Sequence, residues 1–210
     1  MSATLNFTEM FPESLVLETD RVILRVLKAS DVEDFRKISK DKNIWTYFTR
    51  DLSIDEEMNQ WVGAALRDLQ SGIRFPFTIV EKSTGRICGS TSFGSISAYD
   101  KRLEIGWTWL GEDFIGSGIN THAKFLLLQY AFEQLGFVRV EIKTDNKNTR
   151  AKKALEKIGA RAEGVLRSHM LMFNNRRRDS IYYSILVSEW ELIRRAMFGS
   201  VALSHASSQV

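Results

Sequence analysis

Two hydrophobic rhythms run along the chain. Val22, Leu24 and Val26 alternate with Arg21 and Arg25, the period-two pattern of a strand. Ser30 before Asp31 predicts an N-cap and a short helix to about Ser39. Ser53, with Glu56 three residues on, reads as a capping box. The helix it opens carries Met58, Trp61, Val62, Ala65, Leu66 and Leu69 at helical spacing and stops near Gly72. The aromatic-rich stretch Ile44-Trp45-Thr46-Tyr47-Phe48 lies between these two helices. Phe75–Val80 reads as a strand, Lys82–Gly85 as a turn, and Arg86–Phe93 and Arg102–Leu110 complete an antiparallel meander.

The period then changes. Ile119, Ala123, Leu127, Ala131 and Leu135 recur every four residues, with further apolar residues between them, which predicts a long, buried helix ending at Gly136. Val138–Thr144 is a strand, and Asn148 caps a helix that carries Ala151, Ala154, Leu155 and Ile158 and ends at Gly159. Strands over about 162–172 and 178–187 follow, joined by a turn at Asn174-Asn175, and an amphipathic helix starts near Ser188. The order is βαα-βββ-α-β-α-ββ plus this closing helix, an α/β (α+β) arrangement. Its sheet has about seven strands, mixed and mostly antiparallel, flanked by helices. The strand–long helix–strand unit is right-handed, with its two strands parallel.

Composition bounds the picture. With 210 residues, 44% of them hydrophobic, the chain holds one sizeable core. Two prolines and 13 glycines leave no room for a long linker. We expect an N-terminal extension over 1–14, one domain over 15–198 and a flexible tail over 199–210. No apolar run approaches the roughly 18–20 residues of a membrane span, and the N-terminus does not read as a secretory signal. With Cys88 as the only cysteine, no internal disulfide is possible, and a cytoplasmic setting is the expectation. Net charge is +3, yet residues 139–178 hold twelve Lys/Arg against four Asp/Glu, a balance of +8. That asymmetry fits either a solvated basic face or an anionic ligand. Because the basic residues are spread over two strands and a helix, direct nucleic-acid binding is not expected.

The most informative segment runs from Trp107 through Trp109, Leu110, Ile115, Gly116, Ser117, Gly118, Ile119, Asn120 and Thr121 into the long helix. A strand end, a loop with two glycines and a helix N-terminus together make an anion site. Glycine lets the backbone approach closely, and the first-turn N–H groups lack intrahelical partners. No Gly-Lys-Ser/Thr follows, so the loop is not a P-loop, and the third glycine of a dinucleotide fingerprint is absent.

These residues resemble motifs of the GNAT superfamily of acetyltransferases. The matching positions are Glu104-Ile-Gly-Trp107, Gly116-Ser-Gly118, Ala131-Phe-Glu133, Leu135-Gly136, Arg139-Val-Glu141, Asp145, Asn148, Leu155–Gly159 and Glu163–Arg167. Weaker similarity covers Leu17 to Trp190, and the branch most similar is that of the ribosomal-protein N-terminal acetyltransferases. The resemblance implies a sheet splayed between its fourth and fifth strands, opening at Trp107–Leu110. It implies acetyl-CoA as co-substrate, pyrophosphate on the glycine loop, and an amine acceptor, either a protein N-terminus or a small molecule. Two departures stand out. The family's Gln/Arg-x-x-Gly-x-Gly/Ala here begins with Ile115 and ends with Asn120. The Ser or Tyr proposed in relatives as acid for the leaving thiolate is replaced by Ala151 and Leu155.

Within that frame Glu104 is the candidate general base, because only the free lone pair of an amine attacks a thioester. The alternative is an ion pair with Arg86 or Arg102 across the strands. Backbone N–H groups near Trp109 are candidates for an oxyanion site. Asn148 is a cap that can also contact the donor. Lys153 and Lys152 are candidates for the phosphates, although Lys152–Glu156 also reads as an i,i+4 pair. Trp45, Tyr47, Phe48 and Phe75 are candidates for the acceptor pocket or for core. His122, His169 and His205 lack metal-ligand spacing, so no metal is expected. Arg176-Arg177-Arg178 reads as a solvated turn. Both monomer and homodimer stay open, as does a non-catalytic acyl-CoA sensor.

Overall fold

The computed structural model describes residues 6–201. Its core is an eight-stranded sheet in the order β1-β2-β3-β4-β5-β6-β8-β7. The strands are β1 (Val16–Glu18), β2 (Val22–Val26), β3 (Phe75–Glu81), β4 (Ile87–Ser97), β5 (Arg102–Leu110), β6 (Arg139–Asp145), β7 (Arg161–Leu171) and β8 (Arg177–Leu186). Every pairing is antiparallel except β5–β6. The seven predicted strands are present. The eighth, β1, is a three-residue edge too short to carry an alternation signal.

Among the described residues six α-helices accompany the sheet: α1 (Phe7–Met10), α2 (Val32–Ile38), α3 (Asp55–Gln70), α4 (Ile119–Gln129), α5 (Thr149–Lys157) and α6 (Val187–Phe198). The ladder of α4 widens into a π turn over Tyr130–Gln134 before Gly136 at φ +65°. Of the predicted caps, Asn148 accepts from the Ala151 N–H at 3.0 Å. Ser30 and Ser53 do not cap. The Ser53 hydroxyl and N–H are both taken by Asp51, an Asx turn that delays α3 to Asp55. Ser30 lies inside a 3-10 turn, Ala29–Asp31, where Asp31 instead accepts from the Lys28 N–H and pairs with Arg25.

The larger apolar cluster joins the sheet to α4, α5 and α6. Residues Met10 and Phe11, in the predicted N-terminal extension, are buried in it, and the Tyr130 hydroxyl donates to the Met10 carbonyl at 2.6 Å. A second cluster, built on Phe35, Trp45, Trp61 and Trp109, seats α2 and α3 on the sheet.

Candidate active site

The sheet opens where a parallel pair fails. Strands β5 and β6 pair only at Arg102–Arg139, Leu103–Val140 and Glu104–Glu141, then part. On its other side β5 is bulged: Ser90 faces Trp109 and Ser92 faces Gly106, so β5 spends one residue more than β4. Trp107, at φ +51°, takes up the irregularity. A bulge leaves backbone groups without ladder partners and re-aims the side chains beside it. The Trp107 ring lies over Gly94, where a Cβ would stand 2.4 Å from it, and the buried Arg74 guanidinium covers the ring at 4.9 Å. Trp109, Leu110 and Ile119 are buried, and the Trp109 indole packs against Trp45 and Phe35.

Glu104 stands at the vertex of the gap and is 4% exposed. Its ion-pair partner is neither Arg86 nor Arg102. Lys143 donates to Oε2 at 2.6 Å and the Ser95 hydroxyl donates to the same oxygen at 3.3 Å. Arg86 instead pairs with Asp113, and Arg102 with Asp100 and Glu141. Strands β5 and β6 are in register at Glu104, so a lysine two residues further along β6 reaches back across the opening. Oε1 has no partner among the described residues and lies over Gly106.

At the far end of β5 the glycine loop enters α4. Gly116 and Gly118 both have positive φ, +81° and +92°, a conformation L side chains rarely adopt. Gly118 is the residue before the helix, Ser117 precedes it in the loop, and Ile119, Asn120 and Thr121 form the first turn. The Asn120 Oδ1 is buried without a partner. Ile115 is exposed and contributes no charge. A cation absent from the predicted set lies against the loop: Arg21, just before β2, donates to the Ser117 carbonyl at 2.9 Å. Its Nη1 would stand 3.0 Å from a Cβ on Gly118. Behind the loop, the buried His122 joins Thr19 at 2.9 Å. Burial lowers its pKa, with Asp20 opposing. A positively charged fork beside a helix N-terminus suits a pyrophosphate.

One turn further, Lys124 is 4% exposed and donates to the Thr108 hydroxyl at 2.9 Å. Burial pushes its pKa down to about 7. Nothing in the periodicity marks it, a single lysine between the apolar Ala123 and Phe125.

The predicted acceptor-side residues separate. Trp45 and Phe75 are fully buried, Trp45 with its indole N–H donated to Ser39 and Phe75 stacked on Phe11, so both lie in the core. Tyr47 and Phe48 are half-buried. Tyr47 lines a cavity of about 230 Å3 with Asn43, Lys147, Asn148, Thr149 and Arg150. Lys153 is exposed. Lys152 donates to the Asn146 carbonyl at 3.2 Å and does not pair with Glu156, which accepts from the Tyr183 hydroxyl. Cys88 is buried, its thiol pushed up to about 12 by burial, which keeps it protonated. Among the described residues no group of His, Cys, Asp and Glu is placed to hold a metal, and no helix is long and apolar enough to cross a membrane.

Beyond the vertex, β6 and β8 present one polar face: Lys143 and Asp145 beside Ser180 and Tyr182. Arg176 pairs with Asp145, and His169 meets the Ser180 hydroxyl at 3.0 Å. Arg177 turns outward to Ser168. Arg178 does not belong to a solvated turn, since it is 7% exposed.

Known proteins match this arrangement. The family model described as "Acetyltransferase (GNAT) domain" matches residues 21–161. "Uncharacterized N-acetyltransferase YoaA" of Bacillus subtilis (strain 168) is 30% identical over 180 residues, 84% of this chain and 98% of that protein. From the same organism, "Putative ribosomal N-acetyltransferase YdaF" is 27% identical over 183 residues, 82% of this chain and 94% of that protein. The crystal structure of a GCN5-related N-acetyltransferase from Brucella melitensis superposes with a TM-score of 0.81 at 28% identity, covering 90% of this chain and 86% of that one. The matched span runs from the loop-bracing Arg21 through the splayed strands and α5 to the first residue of β7, and the chain is thereby a member of the GNAT family of N-acetyltransferases.

Proposed function

We propose that this enzyme moves an acetyl group from acetyl-CoA to a primary amine by direct attack in a ternary complex. The acceptor is a protein N-terminus of the ribosomal-protein type, toward which the name of one relative leans, or a small-molecule amine. The observation that carries the reading is the continuity of the gap. It begins at Glu104, passes the bulge at Trp107 and ends at the glycine loop under Arg21. The unpartnered Asn120 Oδ1, the open backbone at Gly116 and the Arg21 fork fit the phosphate end of the donor. When bound, acetyl-CoA supplies an activated acyl carbon.

Each part of the chain then has a task. Arg21 and the first turn of α4 hold the phosphates. Backbone N–H groups released by the bulge at Trp107–Trp109 polarise the acyl oxygen. Asn148 and Tyr47, which line one cavity at the start of α5, are assigned to the acceptor side. Glu104 takes the proton from the acceptor ammonium through Oε1, while Lys143 and Ser95 hold Oε2 and fix the carboxylate. An N-terminal amine, with pKa about 7.7–8, asks less of this base than a lysine at about 10.4. Ala151 and Leu155 carry no acidic proton, so the departing thiolate takes its proton from another source, water or another residue.

The test is coenzyme A release from acetyl-CoA across amines and N-terminal peptides, with wild type and Glu104→Gln. General-base catalysis contributes about 10²–10⁴-fold, so kcat falls by that order in E104Q and recovers partly at higher pH. Acetyl-CoA affinity stays the same. A loss below about threefold at pH 7 assigns deprotonation to solvent. Tight donor binding without turnover on any acceptor makes the chain an acyl-CoA sensor.

A further inference from the structure

The polar wall beside the gap contains one charge too many. Its carboxylates are both engaged, Glu104 by Lys143 at 2.6 Å and Asp145 by Arg176. Arg178 remains. It is only 7% exposed, yet no ion pair or hydrogen bond joins its side chain to another described residue, and its Nε is buried without a partner. The strand pairing explains how it comes to lie there. In β8, Arg178, Ser180 and Tyr182 share one face, and the last two sit opposite Asp145 and Lys143 on β6. The face is therefore the one that Glu104 and Lys143 occupy at the vertex.

A guanidinium is ionised at every physiological pH. Burying it without partners is costly unless something else completes its five donors. Asp145 and Glu104 are close enough to act on it electrostatically, but burial outweighs them and pulls its pKa below the usual value. Neither carboxylate bonds to it. The donor phosphates have their own cation at Arg21, on the far end of β5. The planar fork of an arginine matches a carboxylate through two parallel hydrogen bonds.

We propose that Arg178 binds a carboxylate carried by the acceptor, so that the preferred substrates are amines bearing an acid group, either free amino acids or peptides with an acidic residue next to the N-terminus. This rests on the acetyl-transfer reading, since it places the acceptor on the Glu104 face of the gap. Lys143 adds positive potential beside the same spot while staying bonded to Glu104. The anion thus lies within reach of the wall while the amine reaches Oε1 of Glu104.

The experiment uses matched acceptors that differ only by carboxylate against carboxamide. Amino acids are compared with their amides, and peptides with Asp or Glu at the second position with their Asn or Gln counterparts. Wild type and Arg178→Met are assayed under saturating acetyl-CoA. Wild type should favour the carboxylate member by at least about tenfold in kcat/KM, and R178M should bring that ratio near one. Which pair responds separates the free amino acid from the acidic peptide. Equal use of both members by wild type, or an unchanged ratio in R178M, overturns the proposal. So does a loss of acetyl-CoA affinity in R178M, which would move the guanidinium to the donor. Calorimetry with N-acetylated carboxylates and their amides on wild type reads the anion site without turnover, and without requiring the variant to fold. Carboxylate-selective binding with no turnover on any acceptor supports the anion site and sinks acetyl transfer. Turnover without carboxylate preference does the reverse.

Discussion

Arg21→Ala is the sharpest probe of the donor end. Replacing Gly118 is a poor test, because at φ +92° any L side chain is strained and would enter the Arg21 guanidinium as well. A loss of affinity there would mix folding with binding. Arg21 is exposed and touches the loop through one hydrogen bond, to the Ser117 carbonyl at 2.9 Å. Truncating it should cost the fold little, within about 0.5 kcal/mol as for most surface positions. The donor loses more. A hydrogen bond to a charged group contributes roughly 1.5–3 kcal/mol, and solvent screening at this rim favours the lower end. At about 1.4 kcal/mol per decade, acetyl-CoA affinity should weaken about tenfold. Titration calorimetry of wild type, R21A and Arg21→Lys measures it, with thermal melts to verify the fold. The lysine variant, a point charge without the fork, should fall between the other two. The wild-type affinity should also decline more steeply with salt than that of R21A. Equal affinities with an intact fold would detach Arg21 from the phosphates and leave the glycine loop to bind them with backbone alone.

Two further changes test the elements behind the site. Lys124→Met should raise stability at neutral pH. Burial lowers the Lys124 pKa to about 7 against the ordinary lysine value of 10.5, so the unfolded chain binds more protons above pH 7 and this group makes stability climb with pH. Melts of wild type between pH 7 and 8.5 should show that climb and those of K124M should lack it, whereas parallel curves refute the burial argument. Above that window Cys88, pushed up to about 12, acts in the opposite sense as unfolded thiols ionise. Gly94→Ala places a Cβ 2.4 Å from the Trp107 ring, which the Arg74 guanidinium also covers at 4.9 Å. It should destabilise by about 1–3 kcal/mol and lower turnover more than donor affinity, since the bulge shifts. Unchanged tryptophan fluorescence and turnover would show that the ring is free to move.

What the sequence determined by itself was everything written in short-range periodicity and turn chemistry. Seven strands, the long helix α4, the Asn148 cap and the glycines at 118, 136 and 159 follow from patterns spanning a few residues. So does the loop before α4, because a glycine-rich entry to a helix is a local object. The caps at Ser30 and Ser53 failed for an equally local reason: Asp31 and Asp51 organise the preceding turns through the Lys28 and Ser53 N–H groups and shift where each helix starts. Tertiary structure decided which side chains meet. Periodicity marks Trp45 and Phe75 as apolar, but a ligand wall and a core wall look alike in sequence, and only packing put both in the core. Glu104 read equally well as a partner of Arg86 or Arg102, and the register of β5 on β6 gave it to Lys143. Arg21 lies 96 residues from the carbonyl it grips, a contact that only the closed sheet creates. Arg178 looked like one of three solvated arginines until strand alternation turned it inward and its neighbours Arg176 and Arg177 elsewhere. The pattern of apolar residues specifies how much of each element is buried, whereas charge pairing depends on distances that exist only once the sheet has closed.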